Sequence, residues 1–342
     1  MLGRVARPEG RRMRRRKFIA LSVGAAASWS LASCAQQATG MRRVAFLHPY
    51  LENDNEVLTR VIAFREGLEA LGWIENRNIR IEHRYSGGDL GRIRTYATEL
   101  VHSAPDLIVG SGTPITAALK EATSTIPIIF NLVNDPVGQG FVASLSRPGG
   151  NITGFTFIDF LMIGKWMEMI KEIAPGVRHV ALIFNPDTTP FYPAFLSELE
   201  AARTSLALEL SASPVHDEAE VEAAIMALAR ERGGGLIAAP DAFINNHRRA
   251  VITLTERHRL PAIYGFRQFV AEGALISYGP NTADIVRRSA GYVDRVFKGE
   301  RPADLPVQAP TKYELVINLK TAKALGIAPA PELLARADGV IQ

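Results

Sequence analysis

Short β-branched and aromatic runs alternate along this chain with longer stretches in which apolar residues recur every three or four positions. The first kind predicts buried strands and the second amphipathic helices. The alternation is clearest in DLIVGSGTPITAALKEATSTIPIIFNLVNDPVGQG, residues 106–140. An apolar run at 106–109 is broken at 110–112, and Thr113 followed by Pro114 predicts a capped helix start. Ile115, Ala118, Leu119 and Ala122 share one helical face, and a second run at 126–130 ends in polar residues 131–136. A strand, a crossover helix and a parallel strand follow from that order.

The pattern extends in both directions. Residues 43–47 predict the first buried strand, 55–71 a helix stopped by Gly72, and 79–85, where apolar and charged residues alternate, a more exposed strand. Helices are expected at 92–103 and, briefly, 141–146, and a strand at 151–157 with Gly154 inside it. A glycine within a strand marks a bend or a close backbone approach. Later strands are expected at 179–184, 208–215, 236–239, 262–264 and 274–278, with helices at 161–173, 192–206, 219–232 and 245–258 between them. Thr282 is read as capping a further helix, 301–310 with its three prolines as an extended crossing, and 312–318 and 319–325 as a last strand and helix. This order predicts an α/β protein of two doubly wound, Rossmann-like lobes: 41–155 with 280–308, and 156–279 with 309–330.

Charge changes the picture only at the N-terminus. The formal charge is +4, but residues 1–33 carry eight basic residues against Glu9, and removing that net +7 leaves −3 for the rest. Nucleic acid is therefore excluded as a partner. A basic stretch to Lys17, an apolar stretch at 18–27 and small residues toward Ala35 have the three-part layout of an export signal. Arg15 and Arg16 followed by KFI match a twin-arginine signal, with Arg14 where Ser or Thr is usual. The single cysteine, Cys34, follows Leu31-Ala32-Ser33. Two readings stay open: lipidation of Cys34 as a new N-terminus, or ordinary cleavage that discards it. Either way the body holds no disulfide and a periplasmic location is expected.

Positive signals for catalysis are missing. There is no phosphate loop, no dinucleotide fingerprint and no G-x-S-x-G spacing, since Gly110 directly precedes Ser111. The histidines lie apart and give no metal spacing, so neither a metal nor a cofactor is expected. His48 alone falls at a strand end where ligands bind.

The strings RRKFIAL, DLIVGSGTP, TIPIIFNLVNDPVGQGFVASLSRPGGNITG, RLPAIYGFRQFVAEGALISYGP and YVDRVFKGERPADLPVQAPTKYELVINLKTAKALGI span most of the chain. In them the chain resembles the substrate-binding proteins of ABC transporters, in the family often labelled tryptophan/tyrosine transport substrate-binding. The resemblance implies a type I periplasmic binding protein fold, two lobes joined by three crossing segments, and a monomer that hands a small solute, an amino acid, to a membrane permease. Cys34 departs from the Ala-rich cleavage site common in that family.

An amino acid needs donors for its carboxylate and acceptors for its ammonium. The strand-end residues Ser111, Gly112 and Thr113, with the helix start behind them, are expected to supply donors. Asp241 is expected to take the ammonium, with Asp135 as the first-lobe alternative and Asn134 beside it. Thr153, Gly154 and Phe155 lie at the first crossing. Tyr50, Phe155, Phe243 and Tyr264 are candidates for an aromatic wall. Two other readings remain: a periplasmic α/β enzyme using Asp135, His48 or Asp241, and a sensor presenting the same cleft to a signalling partner.

Overall fold

Two sheets organise the chain in the computed structural model, which describes Gly3 and residues 40–197, 200 and 207–342. Apart from Gly3 and Glu200, the leader at 1–35, with Arg15, Arg16 and Cys34, and the part of the expected 192–206 helix beyond residue 197 lie outside the described residues. The first sheet contains β1 (Arg42–His48), β2 (Ile79–Tyr85), β3 (Leu107–Ser111), β4 (Ile128–Val133) and β5 (Ile152–Thr156). Its order is β2-β1-β3-β4-β5, all parallel. The second sheet contains β6 (His179–Phe184), β7 (Glu209–Pro214), β8 (Gly234–Ala238), β9 (Ala262–Tyr264), β10 (Ile276–Pro280), β11 (Tyr313–Asn318) and β12 (Gly339–Ile341). Its order is β12-β11-β10-β9-β8-β6-β7, parallel except where β11 meets β10.

Strands β7-β6-β8-β9-β10 thus repeat the order of the first sheet. Each half is a doubly wound sheet whose connections change direction once, between β1 and β3 and between β6 and β8. This is the type I periplasmic binding protein arrangement.

Burial follows from this layering. β3 and β4 are buried throughout, because helices cover both faces of a parallel sheet. β2 is the edge strand, and its alternating sequence matches its half-exposed positions. Ile93, Leu100, Ile115 and Leu119 pack on one face of the first sheet against Ala45, Ile108 and Phe130. On the other face Phe64, Leu68, Ile285 and Val293 pack against Phe46, Val109 and Ile129. The helix Thr282–Phe297, although it follows β10 of the second sheet, packs against helix Asn55–Glu69 of the first lobe. The chain therefore passes between the lobes after β5, after β10 and before β11. Around the first and third of these passages, Gln308 N donates to Gly154 O and Thr156 N to Gln308 O, both at 2.9 Å.

Gly154 is where the close approach expected from sequence occurs. A Cβ there would lie 2.1 Å from Phe130 O on β4, so only glycine fits.

Four local expectations change. Residues 141–146 bend without forming a helix: Phe141 N bonds to Pro136 O and Ala143 N to Pro148 O, outside the i→i−4 pattern a helix needs. The helix expected at 245–258 is two, Ala242–Asn246 and Arg248–Arg257, broken at His247. The crossing at 301–310 contains a 3-10 turn, Pro302–Asp304. Beyond residue 330 the chain continues into helix Pro331–Ala335 and β12, elements too short to show periodicity.

Candidate functional site

The carboxyl ends of both sheets meet across one cleft, as open α/β sheets predict. On the first-lobe side, β3 ends at Ser111 and Gly112 caps the helix Thr113–Ala122. Gly112 has φ 90°, which glycine adopts without strain, and its N–H donates to Asn131 O at 2.8 Å. Thr116 N already returns to Gly112 O at 3.1 Å, and Pro114 has no N–H. The amides of Thr113 and Ile115 are thus the first-turn donors without an intrahelical acceptor, at the positive end of the helix dipole. Thr113, expected to be the cap, sits one residue inside the helix, and its Oγ1 instead accepts from Asn134 N at 3.4 Å. Asn134 is oriented in turn by Ile158 N, which donates to its Oδ1 at 3.1 Å.

On the second-lobe side, β8 leads into Pro240 and Asp241, and Asp241 caps helix Ala242–Asn246. Its Oδ1 accepts from Ile244 N at 2.7 Å and from Thr188 Oγ1 at 3.3 Å, and its Oδ2 from Asn185 N at 3.0 Å. The Thr189 hydroxyl also lies beside this carboxylate, so its acceptor positions are largely satisfied from within the second lobe. The group is only 4% exposed. Burial pushes its pKa up to about 6, against the opposing effect of the hydrogen bonds from Asn185 and Ile244.

Between these two ends stand apolar walls: Pro49, Tyr50 and Leu132 from the first lobe, Phe157 just past β5, and Phe191, Pro240 and Phe266 from the second. Phe157 and Phe266 stack at 4.9 Å between ring centres. Behind the wall the buried guanidinium of Arg60 lies 5.2 Å from the Tyr50 ring centre and 5.8 Å from that of Phe266, with Nε held by Glu56 Oε1 at 3.2 Å. The cavity between these walls is only about 40 Å³, so the walls stand close.

Of the residues singled out from sequence, Tyr50, Ser111, Gly112, Thr113, Asn134 and Asp241 come together here. The others lie elsewhere. Asp135 Oδ1 closes a local turn by accepting from Gly138 N at 2.9 Å. Thr153 Oγ1 donates to Leu305 O, and Gly154 sits against β4. Phe155 packs against Tyr292 at 4.9 Å and under Arg288 at 5.3 Å. Phe243 packs on His247 at 4.2 Å. Tyr264 is core: it stacks on Phe269 at 4.5 Å, its Oη meets Thr255 Oγ1 at 3.2 Å, and burial raises its pKa.

His48 also misses the cleft. It is stacked on Phe46 at 4.0 Å and bonded through Nε2 to His83 Nδ1 at 2.9 Å. Burial lowers the pKa of both rings, to about 4 for His83. Among the described residues no cluster of His, Cys, Asp and Glu could hold a metal ion. No described helix is long and apolar enough to cross a membrane.

Sequence reading missed Leu132, Phe157, Thr188, Phe191 and Phe266. For two of them a signal existed, because Phe157 and Phe266 each lie two residues beyond a residue that was chosen.

Comparison with known proteins agrees with this fold. A curated relative, the tyrosine-binding protein of Clostridioides difficile (strain R20291), is 28% identical over 278 residues, 81% of this chain and 78% of the relative. A solved structure of a conserved domain protein from Vibrio cholerae O1 biovar El Tor is 29% identical, with a TM-score of 0.81 over 88% of this chain and 99% of that one. An ABC domain from Streptococcus pneumoniae, solved in complex with L-Trp, shares the fold at a TM-score of 0.80 and 24% identity, covering 88% of this chain and 100% of that one. Residues 50–341 match the family model for ABC transporter substrate binding proteins, and with so much of its length matched the chain belongs to that family.

Proposed function

We propose that the protein captures an amino acid with a large, preferably aromatic, side chain for an ABC importer. The observation that carries this reading is the opposition of two unlike polar ends across one apolar cleft. The orphan amides of Thr113 and Ile115, beside the Ser111 hydroxyl, suit a carboxylate. The buried carboxylate of Asp241, which lines the same cleft, suits an ammonium, in a charge-assisted pair. The aromatic rings of Tyr50, Phe157, Phe191 and Phe266 suit the side chain between them. The tyrosine-binding relative and the L-Trp complex support the same ligand class.

In this reading the lobes, 41–155 with 280–308 and 156–279 with 309–330, rotate about the crossings near 155, 280 and 308. The closed form of the monomer is what a membrane permease recognises. No bond is made or broken. Of the groups an enzyme in this cleft could use, His48 and Asp135 are tied into local contacts away from it, which favours binding over turnover.

A ligand that binds only the folded protein stabilises it by about 2.7 kcal/mol at a hundredfold excess over Kd. A thermal-shift screen should therefore raise the melting temperature with L-tryptophan or L-tyrosine and not with sugars or organic acids. The reverse pattern would sink the amino-acid reading.

Export by the twin-arginine route, with Cys34 either lipidated or removed, completes the proposal. Replacing Arg15 and Arg16 together by lysine should hold the precursor in the cytoplasm. An unchanged periplasmic yield on cell fractionation would show that another route is used.

A further inference from the structure

The lobes are joined outside the cleft by a second set of contacts that no ligand needs to touch. Asp54 caps helix Asn55–Glu69 of the first lobe, its Oδ1 accepting from Glu56 N at 2.9 Å. Arg248 begins helix Arg248–Arg257 of the second lobe, where Nε donates to Glu272 Oε1 at 2.8 Å and Nη1 to Asn245 O at 3.2 Å. Across the gap, Arg248 Nη1 donates to Asp54 Oδ2 at 2.6 Å, with side chains only 10% and 7% exposed.

Next to this pair, Asn246 Nδ2 donates to Pro49 O at 3.3 Å. The lobes approach so closely there that a Cβ on Gly88 would lie 2.6 Å from Asn246 Nδ2. Pro49 and Ala242 line the cavity, whereas Asp54, Gly88, Asn246 and Arg248 do not, so these contacts form a rim beside the ligand space.

We propose that the Asp54–Arg248 ion pair is a lock between the lobes that holds the cleft shut and sets how long a ligand stays. Each half is already fixed in its own lobe, Asp54 as a helix cap and Arg248 by Glu272 and the Asn245 carbonyl. Closure therefore adds one short charged bond with little further ordering of side chains. Burial protects that bond from screening by salt, unlike an exposed pair. Opening would break it and leave neither lobe rearranged. Asp54 and Arg248 act as positioning residues, since neither meets the ligand.

This inference rests on the proposed binding function for its kinetic test but not for its structural one. Asp54→Asn retains an acceptor for the helix cap while removing the charge. Arg248→Met keeps the length of the arginine stem, and Arg248→Lys keeps the charge without the planar fork. With L-tryptophan and L-tyrosine as probes in stopped flow, Asp54→Asn and Arg248→Met should each speed dissociation by about ten- to a hundredfold. Association should change far less. The double variant should dissociate no faster than the single ones, because both remove the same bond. Arg248→Lys should recover part of the loss.

In ligand-free protein, small-angle scattering should give a larger radius of gyration for Asp54→Asn and Arg248→Met than for the parent. Unchanged scattering, or additive effects in the double variant, would overturn the lock. Failure of either amino acid to bind the parent would instead overturn the functional reading, and the ligand-free scattering would still decide the lock.

Discussion

Asp241 is the residue on which the two demands of the cleft meet. It caps a helix, and it is also a buried carboxylate lining an apolar cleft. In the folded protein it ionises near pH 6, against 3.8 for an ordinary aspartate. Between those values the folded state holds the extra proton. Its contribution to stability is therefore fully present below 3.8 and is lost as pH rises through about 6, at a cost of roughly 3 kcal/mol. A ligand ammonium would recover part of that cost, so affinity should rise as pH climbs through about 6 and level off above it. Asp241→Asn should abolish this pH dependence and weaken binding by roughly 1.5 to 3 kcal/mol at pH 7.5. Calorimetry across pH on both proteins checks this, and a parent affinity that stays flat from pH 5 to 7.5 would remove Asp241 from the ligand.

At the scale of elements, the strand-turn-helix unit from β3 to β4 was legible because three signals coincide in it: apolar runs, a glycine break and helical periodicity. Its cap was read one residue late. Thr113 is a good cap type, but Gly112 reaches φ 90° without cost and takes the position. The same shift occurs at Thr282, where Asn281 caps by accepting from Asp284 N at 2.8 Å and the Thr282 hydroxyl instead donates to Glu56.

The aromatic walls were misplaced by one strand period. Phe155 and Tyr264 lie inside β5 and β9, whereas Phe157 and Phe266 lie just beyond the strand ends and reach the cleft. Nothing in local periodicity fixes where a strand ends to within two residues. Thr188 and Phe191 could not be read at all, because their place depends on how the lobes meet. Gly154 is the element-scale test of the first crossing. Gly154→Ala forces a Cβ into Phe130 O, so the variant should lose about 3 kcal/mol or more in denaturant unfolding. A loss under about 1 kcal/mol would mean that β4 and β5 can separate freely there.

For the whole molecule, the repeat of one strand order turns the carboxyl edges of both sheets toward one cleft, where the proposed function needs ligand groups of opposite charge to be met from opposite sides. Each sheet presents its carboxyl edge, and folding brings a helix N-terminus from one edge to face a buried aspartate from the other. The leader's charge and the alternating halves were visible in the sequence. The closeness of the lobes was not, because it comes from contacts between distant residues such as Asp54 and Arg248.

The central claim is that both ends of an amino acid are held at once. The most direct measurement is calorimetric titration at pH 7.5 with L-tryptophan, with indole-3-propionate, which lacks the ammonium, and with tryptamine, which lacks the carboxylate. The two-ended cleft predicts that L-tryptophan binds and that each truncated ligand binds at least about tenfold more weakly, equivalent to about 1.4 kcal/mol per lost end. Equal affinity for L-tryptophan and either truncated ligand, or no heat from L-tryptophan or L-tyrosine with protein that is fully folded, would contradict it.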